Sequence, residues 1–301
     1  MRVVHSRKKV WEKDYAFEDN FILLTWILAL LKWKEYGFKT VLYTDYATLI
    51  NIQKYRFEYL YDEINTTYID EHIQNIDLAH FWAMPKILSY QAELELGHTN
   101  SFVADVDIVP MKDWHDILSI QGHDLTVWSN KEFLEAESTY PRIDSLSLPH
   151  KYKLPAWFRG NVRPLNTGII YFKNPQHALN YLHEVTRYAT NNKNPRKNTV
   201  CQTMCTAEQR MIGEYARAKS LIYNIIEPLN EGLFNKNGFH THIYKQLKDR
   251  LICDQLALCF LNKIKEYDNE LYNNLIQLPL IKPLTNIKEY IVPPELQQYN
   301  W

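Results

Sequence analysis

The chain has 301 residues, 46% of them hydrophobic and 23% charged, with a formal net charge of −1. These values describe a folded globular chain and exclude disorder by composition. They also exclude nucleic-acid binding driven by bulk charge, because Arg7-Lys8-Lys9 and Arg196-Lys197 are too short to make a basic footprint. The longest apolar run, Phe21 to Leu31, contains Thr25 and falls short of the ~20 residues that span a bilayer. It begins behind Glu18 and Asp19, which is unlike a signal-peptide core. A cytoplasmic location with no transmembrane segment is the expectation. Cys201, Cys205, Cys253 and Cys259 form no C-x-x-C pair and read as reduced, mostly buried thiols. Neither G-x-G-x-x-G nor G-x-x-x-x-G-K-[ST] occurs, nor do G-x-S-x-G or H-E-x-x-H.

In chain order, Arg2-Val3-Val4-His5 predicts a short strand, followed by a polar turn from Ser6 to Lys9. Asp19 or Asn20 caps a helix over Phe21 to Tyr36 that Gly37 ends. Its early turns are apolar nearly all round, so it is expected against a sheet rather than at the surface. Thr40 to Thr44 predicts a second strand. Strand, buried helix and strand in this order make a βαβ unit with a parallel pair. A short helix follows over Ala47 to Lys54, then a strand over Phe57 to Tyr61. A helix from Met84 to Leu96 has Pro85 in its first turn and Gly97 at its end.

That helix leads directly into Ser101 to Pro110, an apolar β-branched run interrupted by Asp105 and Asp107. As one buried strand, it would project both carboxylates from the same face. Two such carboxylates repel each other and lose hydration unless a cation or strong donors meet them. A hard divalent cation held through oxygen is the leading expectation, against an acidic turn lying in water. Beyond it, the sequence predicts a helix near Trp114 to Gln121 and a strand over Leu125 to Trp128. Lys131 to Phe158 reads as a long functional loop. Asn166-Thr167-Gly168 opens a buried strand to Phe172, where Gly168 reads as either a close-approach point or a simple bulge. Helices follow over Pro175 to Thr190 and Ala207 to Ala218, separated by a polar loop over Asn191 to Asn198. Leu221 to Ile226 predicts a strand and Glu231 to His242 a polar loop. Asp249 to Tyr267 predicts a helix, and Leu278 to Trp301 a surface-wrapping tail. The fold class expected is α/β, a mostly parallel central sheet flanked by helices. Residues 1–248 would form the main domain, with 249–301 a helical extension and tail packed on it.

Four motifs in this order resemble the GT-A fold nucleotide-sugar glycosyltransferases, a single Rossmann-like domain. The likeness is to retaining enzymes of the glycogenin and bacterial galactosyltransferase kind and to related uncharacterised bacterial glycosyltransferases. The motifs are Trp82-Ala83-Met84-Pro85-Lys86 before the acidic strand, Phe102 to Asp107 as an apolar run with DxD, and Leu165 to Phe172 with Asn-x-Gly. The fourth is His242-Ile243-Tyr244-Lys245-Gln246-Leu247-Lys248, against the family's H-x-x-G-x-x-K; Lys245 stands where the family has glycine. The resemblance implies a metal-dependent transfer of a sugar from a nucleotide-diphosphate donor to a carbohydrate or lipid-linked acceptor. Surface polysaccharide or glycolipid assembly is the setting it suggests. It implies Mn²⁺ (or Mg²⁺) held by Asp107, Asp105 and His242, with His240 the competing histidine. Asp105 would share the metal or the ribose hydroxyls, Lys86 and Lys248 would offset phosphate charge, and Asn166 and Gly168 would line the sugar pocket. Glu208 and Gln209 stand where retaining relatives carry an Asp-Gln pair near the reacting carbon.

The residues admit plainer roles too. Lys86 could be a solvated helix lysine, Glu208 a charge answering a helix dipole, and Trp128 and Trp157 packing residues. Two rival functions remain. Asp105-Val106-Asp107-Ile108-Val109 matches the opening motif of haloacid-dehalogenase-type phosphatases, with Asp105 the nucleophile and Asp107 the acid/base. Against that reading, a full βαβ unit precedes the motif and no late pair of adjacent aspartates is present. The other rival is a GT-A-like protein that binds a nucleotide-sugar without transferring the sugar.

Overall fold

The structure, a computed structural model, describes residues 1–9, 15–129, 152–160, 162–192, 200–227, 237–240 and 250–287. It is an α/β fold built on a mixed, mostly parallel sheet of seven strands with helices on both faces and further helices at the C-terminal side. Strand β1 (Arg2–Arg7) is central, paired in parallel with β2 (Lys39–Thr44) and β4 (Ser101–Ala104). β3 (Glu63–Asn65) extends the β2 edge. β7 (Asn166–Phe172) runs antiparallel beside β4, β6 (Leu125–Ser129) antiparallel beside β7, and β8 (Tyr223–Glu227) parallel to β6. The sheet order is therefore β3-β2-β1-β4-β7-β6-β8.

Alternation along β1 explains how both faces are filled. Val3 belongs to one buried cluster and Val4 to the other. A parallel strand covered on both sides needs apolar residues on both faces, which is why Val3 and Val4 are equally inaccessible. One face is covered by α2 (Asn20–Glu35), whose N-cap Asp19 accepts from Phe21 N at 2.9 Å. Gly37 ends this helix at φ +76°, a left-handed conformation that favours glycine. On the other face lie α5 (Met84–Glu95) and α7 (Pro175–Asn191), each with proline in its first turn. The C-terminal helices α10 (Arg250–Tyr267) and α11 (Asn269–Leu275) share the α2-side cluster, with Phe260 stacked on Phe21 at 5.7 Å. None of the described helices is long and apolar enough to cross a membrane. Cys205, Cys253 and Cys259 are buried.

Several local expectations need correction. β1 continues past His5, because Ser6 and Arg7 pair with Tyr43 and Thr44. Phe57 to Tyr61 is not a strand; a 3₁₀ turn (Glu58–Leu60) lets Phe57, Leu60 and Tyr61 all plug the core, and the strand comes later at β3. Ser101 to Pro110 is not one strand either. It divides into β4 and β5 (Ile108–Pro110), and β5 leaves the main sheet to pair antiparallel with β9 (Gly238–His240). The helix expected over Ala207 to Ala218 is preceded by α8 (Val200–Cys205) and begins in a π-helical turn (Thr206–Arg210) before α9 (Met211–Ala218). Most of the loop from Lys131 to Phe158, most of the polar loop after Asn192 and the end of the tail lie outside the described residues.

Trp33 joins α2 to the sheet. It is fully buried, and its ring meets Phe102 of β4, Phe38 and Trp114 edge-on at 5.5, 5.2 and 4.9 Å. Trp33→Ala should therefore lower unfolding stability by about 3–5 kcal/mol, read from the urea midpoint at unchanged slope.

Candidate metal centre

In an open α/β sheet, a crevice forms beyond the carboxyl ends of the strands where the strand order reverses. Here that point lies between β1 and β4, since the chain steps from β1 outward to β2 and β3 and then returns to the other side of β1 as β4. The acidic residues sit at the carboxyl end of β4. Asp105 N–H donates to Gly168 O of β7 at 2.8 Å, and Ile108 N–H closes back on Asp105 O at 3.2 Å. The first bond carries the β4–β7 pairing on to Asp105, and the second turns the chain tightly away from it. The carboxylates are therefore brought together by a turn at the strand's end, not by same-face alternation within a strand. Asp105 and Asp107 keep side-chain exposures of 35% and 21%, so both are reachable from the crevice.

Two different faces of the sheet support the pair. From the α5 face comes Lys86, which is buried and directed at Asp105. Its Nζ donates to Asp105 Oδ1 at 2.8 Å and to Thr167 O at 2.8 Å, and it forms an ion pair with Glu208 Oε1. An ammonium has three N–H donors; Asp105 and Thr167 accept from two, and Glu208 meets the same nitrogen as an ion pair. Burial by itself would lower the Lys86 pKa, but the charges of Asp105 and Glu208, with hydrogen bonds to both, hold it above its ordinary value. Burial pushes the Glu208 carboxyl up, and Asp105 adds to that, while Lys86 and a side-chain hydrogen bond with Thr167 oppose it. The π-helical turn carries Glu208 into this position; Tyr181 Oη donates to Glu208 O at 2.8 Å, and Leu165 N to Gln209 O at 3.0 Å.

From the α2 face comes His240. The β5–β9 register pairs Ile108 with His240, which sets the imidazole beside the residue preceding Ile108. His240 Nε2 stands 3.4 Å from Asp107 Oδ1, and the ring lies edge-on to Trp128 at 5.6 Å. Gly168 permits this approach by lacking a side chain. A Cβ there would come within 2.8 Å of Ile108 Cδ1 and 3.4 Å of His240 Cε1. The space is thus filled by the protein, and the β6–β7 register shift leaves the extra residues of β7 between Asn166 and Ile170, so Gly168 also lies within a bulge. Asn166 Oδ1 accepts from Gly168 N at 2.9 Å, which shapes the opening of β7.

One ligand atom each from Asp105, Asp107 and His240 lies within 4.8 Å of the others. Two donors placed about 2.1–2.6 Å from one ion and at right angles stand roughly 3.0–3.7 Å apart, so the Asp107–His240 separation suits adjacent ligands. Charge points the same way. Among the described residues, three carboxyl groups and one ammonium gather here, and even with Glu208 protonated the negative charge is the larger. Two carboxylates with an imidazole suit Mn²⁺ well.

Of the residues singled out by sequence, the structure gathers Lys86, Asp105, Asp107, Gly168 and Glu208 at one place, with Asn166 and Gln209 half-buried on adjoining backbone. His242, Lys245 and Lys248 lie outside the described residues. Trp128 is a core residue, stacked at 6.3 Å on Trp114, and Trp157 packs edge-on against Tyr215 at 5.6 Å. Two contributors were not singled out. Thr167 supplies its carbonyl to Lys86, a role that no side-chain pattern announces. His5 is wholly buried, with Nδ1 3.0 Å from Tyr61 Oη, and Tyr61 Oη accepts from Trp26 Nε1 at 2.6 Å. Burial pushes the His5 imidazole down to about 3, against an upward pull from Asp107. The visible signal was a histidine completing the otherwise apolar run Val3-Val4. No protein-family model matches the chain, and no curated protein is significantly similar to it.

Removing the ammonium leaves the buried Glu208 carboxyl without its countercharge, so in metal-free protein Lys86→Met should cost about 3–5 kcal/mol near neutral pH. In the variant the folded Glu208 pKa rises further above its ordinary 4.5. A raised folded-state value favours the folded protein while the group is protonated, so stability should fall as pH climbs from 4.5 through the folded value and then level off. The gap between parent and variant should therefore narrow on acidification, as measured by chemical denaturation across pH.

Proposed function

We propose that the chain is a metal-dependent glycosyltransferase of the GT-A kind, moving a sugar from a nucleotide-diphosphate donor to a carbohydrate or lipid-linked acceptor. The observation that carries this reading is the Asp105–Asp107–His240 cluster at the carboxyl end of β4, beside the Asn166-Thr167-Gly168 opening of β7. The order of helix, acid pair and Asn-x-Gly strand matches the resemblance in sequence, and the mostly parallel sheet is consistent with it.

The roles follow from position. Asp105 and Asp107 hold a Mn²⁺ or Mg²⁺ ion, and His240 takes the imidazole place that the resemblance gives to His242. When bound, the ion supplies a Lewis acid that offsets charge on the departing diphosphate. Lys86 acts through Asp105, because its donors are already engaged. Glu208, at 5% exposure, positions Lys86 from behind. Gln209 and Asn166, half-buried at the mouth of β7, are the polar groups placed to meet the sugar, and Gly168 lets Ile108 and His240 pack close beside them. Lys248 is the further phosphate contact that the resemblance implies.

Isothermal titration with UDP and with GDP, in the presence and absence of Mn²⁺, tests the reading. One nucleotide should bind in a Mn²⁺-dependent manner, and Asp107→Ala should weaken that binding at least about tenfold. Slow hydrolysis of the matching nucleotide-sugar would separate a transferase from a protein that only binds. Phosphatase activity on simple phosphoesters with no nucleotide binding would overturn the proposal.

A further inference from the structure

The α5 face of the acid pair has an evident anchor in Lys86, whereas the α2 face carries a buried polar group with no assigned task. His5 is the last core residue of β1 and follows directly on the Val4–Val103 pair, so it stands level with the end of β4. Its partners Tyr61 and Trp26 belong to the α2-side cluster, together with Ile108 and Phe239 of the strands that carry Asp107 and His240 to the site.

The hydrogen bonds fix the ring's orientation. Trp26 Nε1 can only donate, so Tyr61 Oη accepts from it and keeps its own proton to give to His5 Nδ1. With Nδ1 accepting, the neutral imidazole carries its hydrogen on Nε2. Among the described residues that Nε2 has no hydrogen-bond partner, although it is fully buried. A buried donor left unmatched costs about 1–3 kcal/mol, so its retention calls for an acceptor in some working state. Among the described residues, the charge of Asp107, in the turn beyond the end of β4, acts on this ring.

We propose that His5 is a positioning residue for the cation, its Nε2–H donating to the Asp107 carboxylate oxygen that does not hold the ion. Carboxylates that ligate metals are held by outer hydrogen bonds of this kind, which fix their orientation. The Trp26–Tyr61–His5 chain then does for Asp107 what Lys86 does for Asp105, from the opposite face of the sheet. This inference rests on the cation reading of the acid pair.

The test measures Mn²⁺ affinity from the electron paramagnetic resonance signal of free Mn²⁺, using the whole chain and checking each variant for cooperative unfolding. His5→Phe should weaken binding about 10- to 100-fold, while His5→Gln, which keeps an N–H near the Nε2 position, should restore it to within about threefold of the parent. Tyr61→Phe frees Nδ1 and should fall between the two. A folded His5→Phe with parent-like affinity overturns the inference. Should His5→Phe fail to fold, parent-like affinity in Tyr61→Phe does so instead. Failure of the parent itself to bind Mn²⁺ overturns the cation reading, and this inference with it.

Discussion

Lys86 Nζ sits inside the protein and binds three acceptors from three separate elements: Asp105 after β4, the Thr167 carbonyl of β7 and Glu208 of the π-helical turn. A buried ammonium cannot shed any of these contacts cheaply, because each would leave a charge or a donor without compensation. The position of α5, the end of β4, the mouth of β7 and the turn before α9 are therefore set relative to one another by a single nitrogen. This explains why Asp105 is oriented although a third of its side chain is exposed. It also gives a reason for the π-helical turn, since inserting a residue into the helical repeat swings Glu208 inward while the helix continues.

Asp107 is governed from the other side. The chain leaves the main sheet at the acid turn, and β5 must find a new partner, which it does in β9. That pairing delivers His240, and the fit is tight at two glycines. A side chain at Gly168 would strike Ile108, and one at Gly238 would come within 3.0 Å of Trp114 and 3.1 Å of Trp128. The two carboxylates thus belong to two supports that meet only at the crevice, one tied to α5 and one to the small sheet over α2. A cation between them would bridge the two supports.

Much of this was legible in the sequence where the determining forces are local. Asp19 as cap, Gly37 as stop, Pro85 in a first turn and the apolar run through α2 all act within a few residues, and the elements they imply are present. The acid pair was legible as a site because charge next to an apolar run is costly wherever it folds. What escaped reading depends on partners distant in sequence. Nothing in Ser101 to Pro110 says that the strand must end at Ala104; the turn closed by Ile108 N–H on Asp105 O and the pairing of β5 with β9 decide it. Gly238 to His240 reads as polar loop until β5 is available to pair with it. Phe57 to Tyr61 has the composition of a strand, yet a 3₁₀ turn points Phe57, Leu60 and Tyr61 into one core and leaves Tyr59 exposed. The π-helical turn leaves no compositional mark, and neither does a backbone carbonyl such as that of Thr167.

The proposed chemistry requires Asp105, Asp107 and His240 to hold a divalent cation together. Anomalous diffraction at the manganese edge from crystals soaked in Mn²⁺ addresses it directly. The account predicts one dominant peak within about 2.0–2.6 Å of a carboxylate oxygen of Asp105, of Asp107, or of both, with His240 Nε2 as the neighbouring donor. A peak elsewhere on the chain with none at the acid turn would contradict it.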